Sequence, residues 1–152
     1  IYQCDWSSDV CSSDLLFFAE HLGPVDTKVA DFVVTAERFL GIPYYWGGKT
    51  SLGLDCSGLV QIALDAVGQG APRDSDMQER QLGGALEIDA ALSGLMRGDL
   101  IFWKGHVGIM RDAETLLHAS GHHMLVVSEP LREAIDRIAA KGAGPVTSIK
   151  RL

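Results

Sequence analysis

Residues 43–60 read Pro43-Tyr-Tyr-Trp-Gly-Gly-Lys-Thr-Ser-Leu-Gly-Leu-Asp-Cys-Ser-Gly-Leu-Val60, and the rest of the chain is organised around them. A glycine-rich aromatic loop passes through Asp55-Cys56-Ser57-Gly58 straight into an apolar helical pattern. Leu59, Val60, Ile62, Ala63, Ala66 and Val67 recur on more than one side, which predicts a buried central helix ended by Gly68 and Gly70. Cys56 then sits in the first turn, where unpaired N–H groups and the helix dipole favour a thiolate. A lone cysteine beside Leu and Val is ordinarily a small buried hydrophobe. The first-turn position, and the small neighbours Ser57 and Gly58 that leave room for a substrate, point instead to a nucleophile.

Upstream, Val29, Phe32, Val33, Ala36, Phe39 and Leu40 recur at helical spacing, with Asp26 or Thr27 as cap and Gly41 and Pro43 as stop. Downstream, Asp74–Leu82 reads as a short amphipathic helix capped by Asp74 or Ser75, and residues 83–91 as a loop or irregular strand. From Arg97 the period changes. Arg97-Gly98-Asp99 is a turn, Leu100–Trp103 a strand, Lys104-Gly105 a turn and His106–Met110 a strand. Leu116–Ala119, Met124–Ser128 and Pro145–Leu152 read as further strands, and Pro130–Ile138 as a helix with proline at its allowed start. Helices first and a meander afterwards predict an α+β domain, an antiparallel sheet packed on helices.

The 152 residues suit one domain, and 47% hydrophobic with 22% charged residues is the balance of an ordinary globular protein. A formal charge of −7 without a basic cluster argues against nucleic acid or an anionic membrane as partner, and no apolar run is long enough to span a bilayer. Residues 1–15 lack a regular period and repeat Asp-Ser around Cys4 and Cys11. They resemble translated sequencing-adapter DNA and are read as a non-native or disordered leader. Residues 16–26 are read as a linker or the stub of an upstream domain, and residues 27–152 as the working domain. Setting the leader aside leaves Cys56 as the single cysteine, which supports neither a disulfide framework nor a thiolate zinc site.

A nucleophilic thiol needs a base. His21 lies outside the working domain. His106 opens a strand just after a turn, and His118 lies in the next strand, across the turn around residues 111–114. A three- or five-residue loop centred on Asp112 sets the two histidines directly opposite each other, within reach of an imidazole–imidazole hydrogen bond. A two-residue loop puts them on opposite faces. In the first case His106 takes the proton from Cys56 and His118 orients His106; the chain has no asparagine to fill that third position. His118, His122 and His123 also form a candidate metal cluster. They lack helical i, i+4 spacing and a further ligand set, so residues 121–123 are read as a solvated loop and no metal or other cofactor is expected.

Four ordered segments resemble the NlpC-type cell-wall cysteine peptidases: Gly41-Ile-Pro-Tyr-Tyr-Trp-Gly-Gly48, Leu54-Asp-Cys-Ser-Gly-Leu-Val60, Arg97-Gly-Asp-Leu-Ile-Phe-Trp103 and His106-Val-Gly-Ile-Met110. The resemblance covers about residues 28–151. It implies a papain-like fold with catalytic Cys56, His106 and His118, and hydrolysis of peptidoglycan stem peptides, typically between γ-D-glutamyl and a diamino acid. It further implies that Tyr44 lies near the oxyanion. Asp55 and Ser75 match positions that bind the free amino end of the stem peptide, with Ser57 beside them. The alternatives for Tyr44 and for Asp55 are loop packing and a helix cap. The implied partner is peptidoglycan, the implied location the cell envelope or, for recycling of wall peptides, the cytoplasm, and small wall-binding domains are expected upstream. The rival functions are a papain-like amidase or acyltransferase and a catalytically silent wall-binding module.

Overall fold

The computed structural model describes residues 28–87 and 92–152. The leader, the stub at 16–26 and the cap candidates Asp26 and Thr27 lie outside the described residues. The first helix, α1 (Phe32–Glu37), is capped by Asp31, whose carboxylate accepts from the Val33 N–H at 2.8 Å. It is therefore shorter than its apolar period suggested, because an extended Asp31 supplies the N-cap inside that period. Gly41, with φ +81°, turns the chain, and Pro43 bridges to Leu125 on the sheet.

A two-strand ribbon, β1 (Lys49–Thr50) and β2 (Gly53–Leu54), occupies the loop before the central helix, α2 (Cys56–Ala66). Then come α3 (Ser75–Gln81), whose N-cap is Asp74, and β3 (Gly84–Ala85). The meander follows as β4 (Leu100–Trp103), β5 (His106–Met110), β6 (Thr115–Ser120) and β7 (Leu125–Pro130), each within two residues of the expected strand. The last elements are α4 (Leu131–Ala140) and β8 (Ser148–Arg151). The main sheet has the order β3-β8-β4-β5-β6-β7 with every neighbouring pair antiparallel, so the fold is α+β as expected.

The sheet is buried on both faces. On one, Leu59, Val60, Ala63 and Leu64 of α2 pack with Val33 and Ala36 of α1 against Leu100, Phe102, Val107, Ile109 and Leu117. On the other, Leu131 and Ala134 of α4 cover Ile101, Trp103, Met110, Leu116 and Ile149. Each large aliphatic side chain buried this way contributes about 1.5–3 kcal/mol. α2 is enclosed because its apolar residues meet a helix on one side and the sheet on another.

The β5–β6 register differs from the expected one. Ile109 pairs with Leu117 and Met110 with Leu116, and the Arg111 N–H donates to the Thr115 carbonyl. The three-residue loop is thus centred on Ala113, not Asp112. Asp112 opens the turn instead, its Oδ1 accepting from the N–H groups of Glu114 and Thr115. This two-residue slip carries His118 past His106 to a place beside Gly108. An odd loop keeps both histidines on one face, so the correction alters their offset and not their side.

Candidate active site

Cys56 is the first residue of α2 and only 7% exposed. Asp55, in extended conformation, caps the helix by accepting from the Gly58 N–H at 2.8 Å and also holds the loop through the Gly47 N–H at 2.8 Å. β5 and β6 pair only near their shared turn and part towards His106 and Ser120, while β6 stays paired with β7. Within that unpaired stretch the Val107 N–H faces the Cys56 sulfur. The nucleophile candidate therefore meets the sheet one residue from His106.

Burial pushes the Cys56 thiol up, and the Asp55 charge adds to this; the N–H groups of Val107, Ser57 and Cys56 itself pull the other way and lose. The expectation that the helix N-terminus makes a thiolate is corrected accordingly: in the resting protein desolvation outweighs the helix end. Burial, then the neighbouring His118, lowers His106 to about 3, so its ring is neutral at neutral pH.

His106 Nε2 and His118 Nδ1 are 2.7 Å apart, with their rings edge to face. The two-residue offset is bridged diagonally, as imidazoles can do across neighbouring strands. Gly108 makes this contact geometrically allowed. A Cβ there would lie 2.6 Å from Leu116 Cδ1 and 3.3 Å from His118 Cβ.

Tyr44 is half-buried, its N–H bonded to the Met124 carbonyl at 2.9 Å. Burial and the nearby Cys56 and Asp55 raise its hydroxyl pKa, so it stays a hydrogen-bond donor beside the nucleophile. Ser57 is buried, its hydroxyl 3.3 Å from Asp55 Oδ1. Ser75 opens α3 at the edge of the cluster, and one turn on the Gln78 amide donates to the Ser57 carbonyl at 2.9 Å. His122 meets Lys141 and packs edge to face on His123, whose Nδ1 lies 3.1 Å from the Ser120 hydroxyl; among the described residues no group of three or more such side chains is placed to hold a metal ion.

Three residues escaped the sequence reading. Arg73 grips both oxygens of Asp55, at 2.8 and 2.6 Å, and reaches the Ser57 hydroxyl at 3.0 Å. On the other side, Glu129 of β7 accepts from His118 Nε2 at 2.7 Å and is itself held by both guanidinium nitrogens of Arg137 on α4. The alternation of β7 places Glu129 on the His118 face, but no local pattern marks it as a partner.

In comparison with known proteins, residues 41–138 match the NlpC/P60 family. The Dipeptidyl-peptidase 6 of Lysinibacillus sphaericus is 34% identical over 102 residues, 67% of this chain and 36% of its own length. The Gamma-D-glutamyl-L-lysine dipeptidyl-peptidase of Bacillus subtilis strain 168 is 35% identical over 97 residues, 59% of this chain and 31% of its own. The solved structure of the peptidoglycan hydrolase RipB from Mycobacterium tuberculosis aligns with TM-score 0.62 and 30% identity over 79% of this chain and 62% of that one. The chain spans about a third of the length of those two curated relatives. With a helix-capping Asp-Cys pair set against a histidine-bearing antiparallel sheet, and with the match running through most of the described residues, the chain belongs to the NlpC/P60 family.

Proposed function

We propose that this domain is a cysteine peptidase that cuts peptidoglycan stem peptides at the bond between γ-D-glutamyl and a diamino acid. The observation that carries the reading is that the buried Cys56 at the α2 N-terminus lies against the Val107 N–H, one residue from His106, whose ring is hydrogen-bonded to His118. The names of the Bacillus subtilis and Mycobacterium tuberculosis relatives support the choice of substrate. Such a substrate places the working protein in the cell envelope or outside the cell, or in the cytoplasm if it recycles wall peptides.

In this mechanism His106 removes the Cys56 proton as the sulfur attacks the scissile carbonyl. The oxyanion forms beside the Cys56 N–H and the Tyr44 hydroxyl, which stays protonated. His106 then passes its proton to the leaving amine, and water hydrolyses the thioester. Asp55, Ser57 and Ser75 receive the free amino end of the stem peptide. An ammonium reaching Asp55 shares that carboxylate with Arg73.

The test is digestion of purified stem peptides by the wild type and Cys56→Ala, read by mass spectrometry. Cleavage by the wild type alone is expected, and equal product from both would sink the mechanism. Transfer to an added amine without hydrolysis would favour the acyltransferase. Comparing free and N-acetylated stem peptides checks the amino-end site, where a preference of about tenfold or more for the free amine is expected; equal rates would leave Asp55 a cap alone.

A further inference from the structure

We propose that Glu129 and Arg137 are positioning residues that dictate which imidazole nitrogens carry protons, leaving Nδ1 of His106 bare to act as the base. This deepens the peptidase reading and rests on it for its catalytic meaning.

The contacts form a line across four elements. His106 on β5 meets His118 on β6, His118 meets Glu129 on β7, and Arg137 on α4 closes the line. The groups facing Glu129 are His118, Arg137 and, with its Nδ1 4.0 Å from Oε1, His123 of the β6–β7 turn. Around His106 the remaining ring is that of Trp103, its centroid 5.6 Å away.

Donor and acceptor rules then run in one direction. Arg137 has only donors, so Glu129 stays an ionised acceptor; burial raises its carboxyl, but the His118 and Arg137 hydrogen bonds outweigh this and hold it at about 2. His118 must donate from Nε2. Burial keeps His118 neutral at neutral pH, so its Nδ1 carries a lone pair and accepts. His106 must therefore donate from Nε2, and its own neutral ring leaves Nδ1 unprotonated. When Nδ1 takes the proton from Cys56, both hydrogen bonds already point the right way to stabilise the imidazolium. No proton moves to Glu129. Without a carboxylate at position 129 the line can reverse: His118 then donates from Nδ1, and the His106 proton sits on Nδ1 and blocks the base.

The test combines nitrogen NMR of isotope-labelled histidines in the resting wild type near neutral pH with steady-state kinetics on stem peptides. The expected spectrum shows His106 and His118 neutral and protonated on Nε2. Glu129→Gln should lower kcat at least about tenfold with KM within about twofold, as happens when the orienting carboxylate of a catalytic histidine becomes an amide. Arg137→Gln should move the acid limb of kcat/KM to higher pH, because Glu129 then protonates more easily. A wild-type His118 protonated on Nδ1 would overturn the proposal, as would a Glu129→Gln enzyme with unchanged kcat and acid limb. If Glu129→Gln does not fold, the wild-type spectrum decides alone. If the expected spectrum appears in a protein that cleaves no stem peptide, the proton assignment is supported and the peptidase reading fails.

Discussion

At Cys56 two influences oppose each other: the helix end favours the thiolate, and burial with the Asp55 charge favours the thiol. Burial wins, which favours a neutral thiol and a neutral imidazole at rest; in the proposed mechanism the proton moves when substrate arrives. The signs of the two shifts fix the pH behaviour. In the proposed mechanism His106 works as a base above its pKa, which burial lowers to about 3, so activity should fall with pH through that low range and not through the ordinary histidine value of about 6.5. The Cys56 thiol, raised, keeps its proton through neutral pH. We expect kcat/KM to stay flat from about pH 5 to about pH 8, while alkylation of the free enzyme by iodoacetamide near pH 7 is slower than that of a free thiol and rises only as the medium becomes strongly alkaline. An acid limb near pH 6.5 would mean that His106 is solvated. Cys56, His106 and His118 were readable from the sequence as candidates, because each sits at a position with local meaning, a helix start or a strand. Arg73 was not: its partner Asp55 lies eighteen residues away, and an arginine before a short helix has no pattern of its own.

Among the elements, β5 and β6 carry the geometry of the base. The period of two left the shared face to the loop length, and only the three-residue loop of the structure decides it. The exact offset was not readable either, since Asp112 serves equally well in the middle of a turn or at its start until its hydrogen bonds are seen. Gly108 is where the offset becomes a requirement. Gly108→Ala places a methyl group against the fully buried Leu116 and against the Cβ of His118. It should destabilise the fold by about 1–3 kcal/mol, as overpacked cores do, and lower kcat more than a variant of equal stability loss elsewhere. Chemical denaturation and kinetics on one preparation check both. A fully active Gly108→Ala would show that His118 has room to move and that the close pairing is not needed.

For the whole molecule, the two cores on opposite faces of the sheet tie the site together, α2 bringing Cys56 from one side and α4 bringing Arg137 from the other. The C-terminal strand β8 is locked to the turn before β4 by Arg151, which pairs with both oxygens of the buried Asp99 at 2.7 Å. Asp99 also accepts from the Met96 N–H at 2.8 Å. Arg151 is partly exposed and can return to water when its partner loses its charge, so the loss is that of a partly screened pair together with the hydrogen bonds of the buried Asp99. Asp99→Asn should therefore lower the denaturation midpoint while the folded fraction keeps its kcat, since the pair lies away from Cys56 and His106. A loss of kcat without loss of stability would connect β8 to the site.

The sequence alone determined the fold class, the order and kind of nearly all the elements, and the candidate nucleophile with its two candidate histidines. These rest on hydrophobic period, glycine and proline stops and the single suitably placed cysteine, all of them local. Tertiary structure alone decided the β5–β6 offset, the Arg73 clamp on Asp55, the Glu129–Arg137 end of the histidine line and the protonated state of Cys56. The physical reason is common to all four. Each depends on how far a group is removed from water and on which distant side chain meets it there, and neither quantity has a periodicity along the chain.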